Sequence, residues 1–91
     1  MSKKNKSVSE MIEDVGDIFE RYGFQANLFL GPEGPSILRT TRKIDQVWYV
    51  VEFNIGTGMV SINGKKKNRG YTALASFLKR ISEGKANPKW A

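Results

Sequence analysis

Four cations fall within five residues at Lys65-Lys66-Lys67-Asn68-Arg69, between Gly64 and Gly70 and just ahead of an apolar-periodic run. Lysine and arginine side chains offer donors and positive charge but no acceptor, so the chemistry open to them is the holding of anions, phosphate above all. The flanking glycines let a backbone approach closely. A helix opening after Gly70 would add free amides and the positive end of its dipole. The competing reading is a loop that only keeps the molecule soluble. Arg39, Arg42 and Lys43 form a second basic group, and Lys3, Lys4 and Lys6 a third near the N-terminus. Trp48 falls on the outward side of an alternating strand, where an aromatic ring near arginines suits base stacking or a protein contact. Cover of an apolar patch by a neighbouring tail is the plain alternative.

Catalysis has little to work with. The chain has no histidine and no cysteine, which removes the commonest general base, the commonest metal ligand and every thiolate. Outside the first helix the acids are Glu33, Asp45, Glu52 and Glu83. Asp45 and Glu52 are the pair that a hard cation such as magnesium would use, but no third acid joins them on the strand. They read as solvated charges. Gly56-x-Gly58 has the opening of a dinucleotide fingerprint in the wrong setting, between two antiparallel strands and ahead of no helix. The expectation is a protein that is not an enzyme and uses neither cofactor nor metal.

The elements that position these residues follow from periodicity. Residues 1–6 read as a disordered basic tail, 7–83 as one domain, and 84–91 as a short mobile C-terminal tail from which Trp90 could dock back. Ser7-Val8-Ser9-Glu10 matches a capping box. Val8, Met11, Ile12, Val15, Ile18, Phe19 and Tyr22 then recur at helical spacing, and Gly23 suits the stop. Gly16 interrupts that helix at a cost of about 1 kcal/mol against alanine, which suggests close packing of another element there. Strands are predicted over 25–30, 36–42, 47–55 and 59–63, with the Gly31-Pro32-Glu33-Gly34-Pro35, Lys43-Ile44-Asp45-Gln46 and Gly56-Thr57-Gly58 stretches as turns. Tyr71, Leu74, Ala75, Leu78 and Ile81 make a second helical stripe, widened by Phe77. The fold class is α+β: an N-terminal helix, a three- to four-stranded antiparallel meander sheet and a C-terminal helix in a two-layer sandwich.

Net charge is +6, unevenly spread. Residues 10–22 carry Glu10, Glu13, Asp14, Asp17 and Glu20 against Arg21, whereas the rest is strongly basic. A folded molecule would thus be electrically two-sided, with a polyanion or an acidic protein surface meeting its basic side. No apolar stretch reaches the ~18 residues of a membrane span, and a reducing cytoplasm is the expected compartment.

Helix, strands, helix with lysines opening the last helix is similar to the topology of double-stranded RNA-binding domains. Lys65, Lys66 and Lys67 stand at the comparable place, and Gly31-Pro32 looks like that family's loop. The spacing from Gly31 to Lys65 leaves room for an extra strand, the last helix is bulkier, and the first helix is acidic. Residues 36–81 also resemble the three-stranded sheet plus helix of integrase arm-binding domains, which would use Arg39, Arg42 and Trp48. Both resemblances are of topology, and the chain is assigned to neither family. The leading expectation is a small non-catalytic domain that binds DNA or RNA through Lys65, Lys66, Lys67, Arg69, Arg39, Arg42, Lys43 and Trp48, as a monomer or homodimer. The alternative is a protein-interaction module, such as a phage-type or accessory inhibitor that binds and modulates a host protein.

Overall fold

Ser7 opens the first helix as its side chain and spacing require. Its hydroxyl accepts from the Glu10 amide at 3.1 Å, and the Glu10 carboxylate accepts from the Ser7 amide at 2.9 Å. The helix, α1, spans Val8–Arg21. It ends in a Schellman turn: the Gly23 and Phe24 amides donate to Glu20 and Phe19 carbonyls, with Gly23 at φ +83°, a conformation glycine adopts freely. The computed structural model describes residues 7–30, 36–86 and 88–90; the basic tail over 1–6 and the Gly/Pro turn over 31–35 lie outside them.

Five strands follow in chain order: β1 (Asn27–Phe29), β2 (Ile37–Ile44), β3 (Val47–Asn54), β4 (Met59–Ile62) and β5 (Lys65–Arg69). They lie side by side in that order, each antiparallel to the next. The fold is therefore the expected α+β meander with one strand more. The additional strand is β5, so the basic segment 65–69 is an edge strand and not a loop. Its cause is Asn63-Gly64. Both residues have positive φ (+52° and +82°), the geometry of a two-residue hairpin turn that sends the chain straight back along β4. The β2–β3 hairpin turns in the same way at Asp45 and Gln46, φ +51° and +68°, which leaves Lys43 and Ile44 inside β2.

Helix α2 spans Tyr71–Ser82, and both helices cover one face of the sheet. Val15, Ile18, Phe19 and Phe24 from the α1 region meet Leu74, Leu78 and Ile81 of α2 over Leu38, Tyr49, Val51, Phe53, Ile55, Val60 and Ile62. Each fully buried aliphatic side chain there contributes about 1.5–3 kcal/mol. The chain comes back after α2: a 3-10 turn, Pro88–Trp90, sets Trp90 in this core at 9% exposure. The Phe77 ring meets it edge-on at 5.2 Å. Gly16 packs against nothing, since a Cβ there would find no heavy atom within 4 Å; the close contact suggested by its position in α1 is absent. No helix among the described residues is long and apolar enough to cross a membrane.

Candidate nucleic-acid interface

Strand alternation divides the basic residues between two faces. On β2, Leu38 and Thr40 are buried under the helices, so Arg39, Thr41 and Lys43 face the other way. On β3, Tyr49, Val51 and Phe53 are buried, so Trp48, Val50, Glu52 and Asn54 share the face of Arg39. Among the described residues no helix covers that face. Trp48 stands on the central strand with 57% of its surface exposed.

Regular alternation would put Lys66 and Arg69, three residues apart, on opposite sides of β5. A bulge changes this. Lys66 pairs with Ser61, Asn68 pairs with Val60, and Lys67 is the extra residue between them. Arg69 consequently pairs with Met59 and faces the same open side as Lys66. Both side chains line a cleft of about 210 Å³ with Ile37, Glu52, Asn54 and Met59. Among the described residues neither has an ion-pair partner.

The pairing register also draws one row straight across the sheet, Asn27–Arg39–Glu52–Ser61–Lys66. Within it Arg39 Nε and Nη2 both reach Glu52 Oε2, at 2.8 and 2.7 Å, and the Arg39 guanidinium lies 4.6 Å over the Phe29 ring. Glu52 is thus neutralised within the face. Lys43 Nζ lies 5.8 Å from the centre of the Trp48 ring.

Three of the eight sequence-derived candidates are not brought to this face: Arg42 and Lys65 lie on the helix side, and Lys67 is the extra residue of the bulge. Arg42 follows Leu38 and Thr40 to the helix side. There it donates from Nη2 to the Gly23 carbonyl at 2.7 Å and lies 4.2 Å over the Phe24 ring. It fastens the C-terminus of α1, where a cation also suits the helix dipole. Lys65 pairs with Ile62, which is buried under the helices, and so its position belongs to the helix side of the edge. Lys67, at the bulge, is half-buried. The candidates that do come together are Arg39, Lys43, Trp48, Lys66 and Arg69.

Asn63 is the residue that residue-type reasoning missed. Its amide donates to the Val50 carbonyl at 2.8 Å, and its side-chain oxygen accepts from the Val50 amide at 2.8 Å. Its Nδ2 donates to the carbonyls of Trp48 at 3.1 Å and Trp90 at 3.3 Å. One side chain thus fixes the start of β3, with Trp48 on it, and the returning C-terminal turn. The Asn-Gly dipeptide was the available signal.

Glu52 is occupied by Arg39, and Asp45 sits in a turn. Among the described residues no group of three or more histidine, cysteine or carboxylate side chains could hold a metal ion. The acids of α1 lie on the layer behind the sheet, away from the open face. No protein-family model, no curated protein and no solved structure matches this chain.

Proposed function

We propose that this protein is a small non-catalytic nucleic-acid-binding domain that holds a phosphate backbone on β5 and on the open face of its sheet. The observation that carries the reading is the bulge at Lys67. It turns Lys66 and Arg69 to the same side as Arg39 and Lys43, opposite the layer that holds the acidic helix. Among the described residues of β2 to β5 these four cations share the open side with Glu52, which Arg39 already pairs, and the net positive charge makes that face complementary to a polyanion.

Such binding weakens with salt as counterions are released. If all four cations meet phosphates, the log–log slope is about −3. Retention of labelled duplex DNA, duplex RNA and single strands at low and moderate salt measures it, and absence of binding to all of them at ~50 mM salt refutes the reading. Lys66→Gln and Arg69→Gln should each make the slope shallower by ~0.7–0.9.

A second reading is supported by the β1 end of the sheet, where Phe29 is exposed on the open side, Leu28 on the helix side, and Leu30 just beyond the strand. A protein-interaction module, for instance a phage-type or accessory inhibitor of a host protein, would use such a patch. A specific partner captured from nuclease-treated lysate, and lost on Phe29→Ser with Leu30→Ser, would favour it. In either case the expected compartment is the cytoplasm.

A further inference from the structure

We infer that the ligand of the open face is an unpaired strand, with one base stacked on Trp48 and the adjoining phosphate held by Lys43. This rests on the nucleic-acid reading above and names its substrate class.

Trp48 and Lys43 lie where only β2 and β3 are paired, since β1 meets β2 no further than Arg39 and β4 meets β3 no further than Val51. The choice of ligand turns on access to base faces. In a duplex the bases are stacked on one another and offer only their edges to the grooves, so the Trp48 ring has no base face to stack on. An unpaired strand has no such restriction, because its bases can be turned to the sheet and laid on an aromatic ring.

Trp48 is then a ring prepared for that use. It is exposed on the open face, yet its backbone is held from two sides, by the pairing with Lys43 and by the Asn63 Nδ2 bond to its carbonyl. A rigid backbone and only two side-chain torsions keep the ordering cost of such a platform low. Lys43 supplies a cation over the ring, 5.8 Å from its centre, within reach of a phosphate that adjoins a base stacked there. Four residues along the strands, about 14 Å away, the row through Arg39 and Lys66 gives the same strand its next phosphate contacts. Charge, platform and spacing thus lie along one diagonal of the open face.

The test is anisotropy titration of the full chain with labelled dT8 and rU8 and with a 16-base-pair duplex at ~50 mM and ~150 mM salt, a length range suited to one small binding face. The expected result is tighter binding of at least one single strand than of the duplex; the ratio of dT8 to rU8 says which sugar is preferred. Trp48→Ala should weaken single-strand binding about 5- to 150-fold, the cost of losing one stacked base, with the salt slope unchanged. Trp48→Tyr should keep most of the affinity. Trp48 emission should be quenched on binding, and the Trp48→Tyr protein, left with the buried Trp90, should show no quenching. Trp48 is exposed, so the variants keep the fold, which circular dichroism checks. Duplex binding as tight as single-strand binding, or a Trp48→Ala protein of wild-type affinity, overturns the inference and leaves the nucleic-acid reading standing. No binding to any of the three at ~50 mM salt overturns both.

Discussion

Replacing Asn63 with alanine should cost this small domain about 3 kcal/mol, far more than a half-exposed turn residue ordinarily would. Three parts make up that figure. The Val50 amide loses its acceptor at 2.8 Å, and a part-buried donor left unsatisfied costs roughly 1–3 kcal/mol. The two bonds from Nδ2 to the Trp48 and Trp90 carbonyls go as well; they are longer and partly exposed, and together amount to roughly 0.5 kcal/mol or more. Alanine must also take φ +52°, at about 1 kcal/mol. For a domain of this length, whose whole stability is of the order of 5–14 kcal/mol, the melting temperature should fall by roughly 12–24 °C. Thermal unfolding followed by circular dichroism measures it. Asn63→Gly separates the parts, because it relieves the backbone while losing every side-chain bond, and should recover about 1 kcal/mol relative to alanine. An Asn63→Ala protein within ~0.5 kcal/mol of wild type, the range of an ordinary surface change, would refute the idea that this amide ties β3 to the C-terminal turn.

Gly16→Ala should stabilise by about 1 kcal/mol in urea unfolding, since the new methyl meets open space inside a helix. Gln46→Gly should stabilise by ~0.5–1 kcal/mol through relief of φ +68°, partly offset by the freer unfolded chain. Trp90→Ala should cost about 3–5 kcal/mol by emptying a core site against Phe77; an unchanged denaturation midpoint would mean that the C-terminal turn is not docked in solution. Arg42→Gln should lower stability by ~1–2 kcal/mol through loss of its charged bond to the Gly23 carbonyl. It should leave the salt slope of nucleic-acid binding as it was, in contrast to Lys66→Gln.

The elements legible in the sequence were those that carry their own periodicity. Helix α1 has a reciprocal cap, an apolar stripe and a terminal glycine, so local and tertiary signals agree. Strand β3 alternates without a break, and Trp48 is outward as alternation requires. Strand β5 carries no such pattern: Lys65 to Arg69 is polar throughout, and its extended form comes from the turn before it and from pairing with β4. Arg42 was misplaced for a related reason. The adjacent Ile37 and Leu38 blur the phase of β2, and only the burial of Leu38 and Thr40 shows that Arg42 belongs to the helix side. The bulge at Lys67 has no signature in residue type, so the shared orientation of Lys66 and Arg69 emerges only from the register.

Strand β5 lies at the margin of the sheet, and among the described residues no strand pairs with its outer side. Unpaired margins of this kind recruit other chains, and lysines are a common means of keeping them apart. Lys65, Lys66 and Lys67 therefore hold copies of the molecule away from one another whether or not they meet phosphate. Neutralising all three at once would expose a template for self-association along with removing charge. A triple glutamine variant that fails in a binding assay would then report aggregation as readily as lost contacts, and single substitutions, each with its monomer content measured by sedimentation, are what can separate the two.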